Sequence, residues 1–290
     1  REHLETAAVA GADHGRRETW GTDALTGRPS EIIHLPGNSL LPFIAALCIG
    51  VVCISLLAKG YWIALIATVA SIGVLLRWSW ENGAHPAAAP DARTQPGDLP
   101  LHSRTCDGPG RWGMGVTLLA NGSLYLSMLF GWFYLWTVAP GGMTGEARLQ
   151  HWPLLLGIGL LSAAVLWLRR CLKRLRAGDD ARLAGNLAAI TGLGLAQSAL
   201  LLWALLDAGL APRASAHDAL LMFAVIYLLV HCVLGCVLLA LQSWRVRLGL
   251  VNAECPYEPF VVAPLWQYNL GVLASGYVAL LLFPLSWSAS

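Results

Sequence analysis

Charge is what this sequence most lacks. Asp, Glu, Lys and Arg make up 12% of its 290 residues, about half the roughly 25% of a soluble globular domain. With 56% apolar residues there is too little polar surface to cover a particle in water, so most of the surface needs lipid as its solvent. The net charge of +2 excludes a globally basic, nucleic-acid-binding chain. The seven cysteines stand singly, with no CxxC and no zinc spacing. Cys48, Cys53, Cys232 and Cys236 fall inside apolar runs, where the ordinary role is a small apolar core residue. There is no Walker-type glycine loop, no HExxH and no plausible catalytic triad.

Ionisable groups are nearly missing from the apolar runs as well. His231 is the only histidine deep in one, and Asp207 lies near the outer end of its run. Holding a haem between two axial histidines, or a copper with three, takes several histidines within the membrane. A proton relay through this chain would need a series of buried carboxylates. The residues therefore point to a non-catalytic subunit or structural partner. A small-solute transporter built on uncharged polar groups (Asn121, Gln197, Gln267 and Asn269) stays open, although the two halves show none of the internal repetition common among transporters.

What the sequence does have is long apolar runs, near 39–58, 61–80, 112–137, 152–169, 186–208, 218–243 and 264–286. A transmembrane helix needs about 20 residues at 1.5 Å rise each. The run at 152–169 is close to the short limit and has Leu172 and Leu175 available to extend it. The expected fold is all-α and polytopic, with about seven transmembrane helices. Residues 1–38 read as a polar extended segment without a period of 3.6 or 2. Residues 39–80 form a two-helix hairpin turning at Lys59-Gly60, 81–111 an Ala-, Pro-, Gly- and Asp-rich linker, and 112–290 a five-helix bundle. No 7–15-residue apolar core follows the early charges, so no signal peptide is expected in residues 1–38. Several of the 13 tryptophans sit at run ends, where indole rings settle at the bilayer interface.

Seven spans place the Lys and Arg of 1–38, 77–111, 169–182 and 245–247 on one side and Lys59, Arg148 and Arg213 on the other. Of the 19 cations, 16 lie on the first side. That bias sets the expected topology, with a cytoplasmic N-terminus and the C-terminus outside.

Among the polar residues at bilayer depth, His231 is expected to make a helix–helix hydrogen bond, worth about 0.6 kcal/mol on average in a membrane. A lipid headgroup or a partner subunit is the other contact open to it. Gly235, four residues on, shares its face and admits a neighbouring helix. Gly113, Gly122 and Gly131 recur nine residues apart, so they alternate across their helix and form no single seam.

Three short stretches resemble the cytochrome c oxidase subunit III family. Arg111-Trp112-Gly113-Met114 opens a run that closes with Phe133-Tyr134-Leu135 and Ala139-Pro140, similar to that family's third helix. His231-Cys232-Val233-Leu234-Gly235 is similar to the HVxxG signature of its sixth helix, with Arg245 following. Leu265-Trp266-Gln267-Tyr268 is similar to the YWHF string of its last helix. The two-plus-five layout matches too. Arg17-Glu18-Thr19, Leu35-Pro36 and Leu41-Pro42-Phe43 resemble the junction in oxidases whose subunits I and III are fused. The resemblance covers most of the chain through motifs that are each short.

It departs from the family at ionisable positions. Asn121 stands where the family has a membrane-buried glutamate. Gln267 and Leu270 replace a histidine and an aspartate, and Leu228 a second histidine. Roles tied to that glutamate, such as carbodiimide reactivity, are therefore not carried over. The resemblance implies a subunit that binds neither haem nor copper itself, those being held by partner subunits. It would pack against subunit I, reach subunit II through the complex and hold phospholipid between hairpin and bundle, in a bacterial plasma membrane. His231, Gly235, Trp112, Arg245 and Trp266 would be lipid or partner contacts, and Asn121, Gln267 and Asn269 buried polar packing residues. An accessory subunit of another respiratory complex is a further alternative.

Overall fold

The computed structural model describes residues 17–22, 25–35, 38–83, 109–139 and 149–282. The chain is an all-α polytopic membrane protein. Among the described residues seven helices form: α1 (Leu41–Leu57), α2 (Tyr61–Gly83), α3 (Pro109–Val138), α4 (His151–Arg176), α5 (Leu183–Asp207), α6 (Ala216–Arg247) and α7 (Tyr257–Tyr277), the last continued by a π turn, Val278–Leu282. Six are long and apolar enough to cross a bilayer, and α1, with 17 residues, is shorter. Within the described residues each of the seven expected runs forms a helix. The short fourth run extends through Leu172 and Leu175, both buried, to Arg176.

One expectation fails in the first 38 residues. Arg17–Thr22 and Pro29–Leu35 pair as an antiparallel β-hairpin, Trp20 opposite Ile32 and Thr19 opposite Ile33. The β-branched pair Ile32-Ile33 and the turn at Gly27, whose φ is +65°, favour this pairing. Charges scattered through the segment hide that signal. Most of the expected linker, residues 84–108, lies outside the described residues.

The chain divides into two compact units, residues 1–104 and 105–290. In the first, α1 and α2 pack as a hairpin. Among the described residues only Ala45, Ser55, Ala64, Ala67 and Ser71 are buried there, small residues that let two helix backbones approach. The turn is a Schellman motif. Gly60 N–H donates to the Ser55 carbonyl at 2.7 Å and Lys59 N–H to that of Leu56 at 3.1 Å, with Lys59 left-handed at φ +58°.

In the second unit, α4 packs on α5, α5 on α6, α6 on α7 and α7 back on α4, while α3 leans on α7 and α6. Leu161, Leu187, Ile190, Leu201, Leu221, Leu239 and Trp266 fill this ring, each at most 2% exposed. Prolines mark the starts of helices, with Pro109 opening α3 and Pro153 in the first turn of α4, positions where a missing N–H costs nothing. Glycines in the left-handed region, Gly178 and Gly249, follow the ends of α4 and α6.

Candidate functional site

Three of the polar residues expected at bilayer depth, Asn121, His231 and Asn269, meet where α3, α6 and α7 touch. Asn121 Nδ2 donates to the Thr117 carbonyl one turn back, at 2.9 Å, which turns its Oδ1 toward His231 Nε2, 3.3 Å away. His231 Nδ1 lies 2.8 Å from the Tyr227 carbonyl. Both groups facing the ring are acceptors, and a neutral imidazole has one N–H to give. Each of the two contacts is a hydrogen bond in one tautomer of the ring. Asn269 Nδ2 donates to the His231 carbonyl at 3.1 Å, joining α7 to the same point.

Two tyrosines complete the node. Tyr227 Oη lies 3.0 Å from the Asn121 carbonyl, to which it donates, and 2.6 Å from Tyr268 Oη. Its ring sits 4.2 Å from that of His231 and 6.1 Å from that of Tyr125. Tyr125 Oη in turn lies 2.8 Å from Ser275 Oγ. The node thus ties three helices together through hydrogen bonds and stacked rings. Gly235 is buried one turn below His231. A Cβ there would stand 3.5 Å from both Trp266 Nε1 and Asn269 Nδ2, an ordinary contact distance, so α7 packs closely on α6 here with room for one methyl group.

Several sequence expectations change here. Gln267 is exposed, so it is not a buried packing residue. It points away from the face that carries Trp266 and Asn269, and an i, i+1 pair cannot share a face. Asn121 is half-buried and Asn269 buried. Of the residues expected to contact lipid or a partner, Trp112 does lie on the surface, 78% exposed. Gly235, Trp266 and Arg245 make their contacts inside the chain, and His231 is half-buried in the node. Arg245 reaches Glu258 at the start of α7, Nε to Oε2 at 2.6 Å and Nη2 to Oε1 at 2.5 Å. Beside it Tyr257 Oη accepts from the Gly110 N–H at the start of α3.

The sequence reading missed a buried acid. Asp218, in the first turn of α6, is 4% exposed. Its Oδ2 accepts the Ala211 N–H at 3.0 Å, and its Oδ1 lies 3.0 Å from Nδ1 of buried His217. The His217 ring packs 5.2 Å from that of Trp132. Ser215 caps the helix by accepting the Asp218 N–H at 3.2 Å. The signal was present, since Ser215-Ala216-His217-Asp218 has the S-x-x-D spacing of a helix start. Gln197 is fully buried, lies against Gly157, and has no hydrogen-bond partner for either amide atom among the described residues.

Among the described residues, no three of His, Cys, Asp and Glu come together in a metal-binding group. No protein-family model matches this chain, and no curated protein matches it.

Proposed function

We propose that this chain is a non-catalytic, subunit III-like component of a respiratory cytochrome c oxidase, in a complex that reduces oxygen and translocates protons. The observation that carries this reading is where the resembling stretches lie. The helix opened by Arg111-Trp112-Gly113-Met114 brings Asn121 to His231, the first residue of the HVxxG-like stretch. The Trp266 stretch of α7 packs Asn269 and Trp266 against His231 and Gly235. Three short motifs, far apart in sequence, converge on one node, as parts of a single packing device would.

In this role the node holds three helices in register, a task that needs no charge at Asn121. The chain packs against subunit I, communicates with subunit II through the complex and holds phospholipid, while haem and copper belong to the partner subunits. The arginine-rich ends of the helices face the cytoplasm of a bacterial plasma membrane and the C-terminus faces outward. The pattern at Arg17-Glu18-Thr19 and Leu41-Pro42-Phe43 supports descent from a fused subunit I plus III.

Affinity purification of the tagged chain from native membranes in mild detergent, followed by mass spectrometry, tests this. Co-purification of the haem- and copper-bearing oxidase subunits in equal stoichiometry is expected. Recovery of the chain alone, or with subunits of a different complex, would overturn the reading.

A further inference from the structure

The geometry points to a binding site for an anionic phospholipid in the recess between α4 and α5, at their arginine-rich ends. The recess has a volume of about 320 Å3, and its lining includes Arg174, Arg182, Asn186 and Asp179. A second recess of about 230 Å3 adjoins it through Arg174 and Asn186 and adds Arg170 and Trp167. No residue expected from the sequence to touch lipid lines either one, and the inference does not rest on the oxidase reading.

Three guanidinium groups face one carboxylate, that of Asp179. Among the described residues none of the three pairs with an acid. Asp179 Oδ1 also accepts the Ala181 N–H at 3.4 Å, a local contact within the turn. Guanidinium forks match phosphate oxygens two at a time. No side chain caps α5 at Arg182, so the positive end of that helix adds to the attraction for an anion.

The recess is amphipathic along its length, and this selects a lipid over a free anion. On α4, Arg174, Arg170, Trp167 and Ala163 fall at positions i, i−4, i−7 and i−11, one stripe of the helix. On α5, Asn186, Ala189 and Leu193 fall at i, i+3 and i+7, with Arg182 at the cap that precedes the helix. Both stripes run from cation to apolar side chain. Ala163 and Ala189 are small and exposed, so neither stripe would obstruct an acyl chain running below the charges. Trp167 is 37% exposed at the boundary, where an indole ring sits at headgroup level.

Native mass spectrometry of the full chain in detergent, titrated with phosphatidylglycerol or phosphatidylcholine of the same chain length, tests the site. About a tenfold preference for phosphatidylglycerol is expected. The double variant Arg174→Gln/Arg182→Gln should lose it, and Arg213→Gln at the opposite end should keep it. Millimolar inorganic phosphate should leave the bound lipid in place. Equal retention of the two lipids, or a double variant that binds like the wild type, would overturn the proposal. Displacement by phosphate would make the recess a free-anion site and overturn it equally. If the double variant fails to fold, a photo-crosslinkable phosphatidylglycerol on the wild-type chain decides. Labelled peptides within residues 163–193 support the site, and labelling elsewhere overturns it.

Discussion

Arg245 and Glu258 clamp the end of α6 to the start of α7 with two parallel contacts, 2.6 and 2.5 Å, across a connection that Gly249 turns in the left-handed region. The Arg245 side chain is 7% exposed and that of Glu258 29%. Removing the carboxylate takes both of these charged contacts from a buried guanidinium. Glu258→Ala should therefore lower stability by about 2 kcal/mol, allowing for partial solvent access to the glutamate. Equilibrium unfolding in mixed micelles measures this. A loss under about 0.5 kcal/mol, the level of an exposed pair, would show that the clamp contributes little.

Lys59 occupies a left-handed position, φ +58°, that costs an L-residue roughly 1 kcal/mol and glycine nothing. Lys59→Gly should stabilise the α1–α2 hairpin by about that amount, offset in part by the greater freedom of glycine in the unfolded chain. Thermal unfolding monitored by helical circular dichroism reads the sign. A lower midpoint in the glycine variant would contradict the assigned turn.

Asn121 contributes one side-chain contact to the node, whereas the hydroxyl of Tyr227 bonds to its backbone carbonyl. Asn121→Leu keeps the second contact and loses the first. The expected cost is near the 0.6 kcal/mol average for such bonds between membrane helices. Arg111 marks one edge of α3, and ten residues at 1.5 Å put Asn121 roughly 15 Å deep, near the bilayer centre. In the proposed oxidase role, the loss of a packing contact should leave the turnover and proton stoichiometry of the assembled complex near wild type. Abolished pumping in an assembled complex would give the residue a direct role.

Membrane sidedness is open to cysteine labelling. Native Cys171 is a poor probe because it is buried. Arg176 and Arg213 are both exposed. With an impermeant maleimide on intact cells, Arg176→Cys should stay unlabelled until the cells are opened, and Arg213→Cys should label at once. The reverse pattern would invert the topology.

The spans were legible because bilayer thickness imposes a length and forbids charge, both of which are visible in sequence. Lateral facing was not. In Leu265-Trp266-Gln267-Tyr268-Asn269 polar and apolar residues alternate in the same lipid-compatible run, and only the helix rotation separates exposed Gln267 from buried Asn269. The Arg245–Glu258 clamp joins residues 13 apart across a turn, a spacing that no helix or strand period picks out. Asp218 was hidden for a different reason. A carboxylate at the first residues of an apolar run reads as solvated, and its burial depends on the loop that folds back to offer the Ala211 N–H.

The subunit III-like role stands or falls on the reduced-minus-oxidised optical spectrum of the complex purified through this chain, taken with its cytochrome c oxidation rate. A haem signal at fixed stoichiometry to the chain, with oxygen consumption driven by reduced cytochrome c, is expected, and the separated chain should carry no haem. A purified complex without haem and without oxidase activity, or a stoichiometric haem signal on the isolated chain, would contradict it.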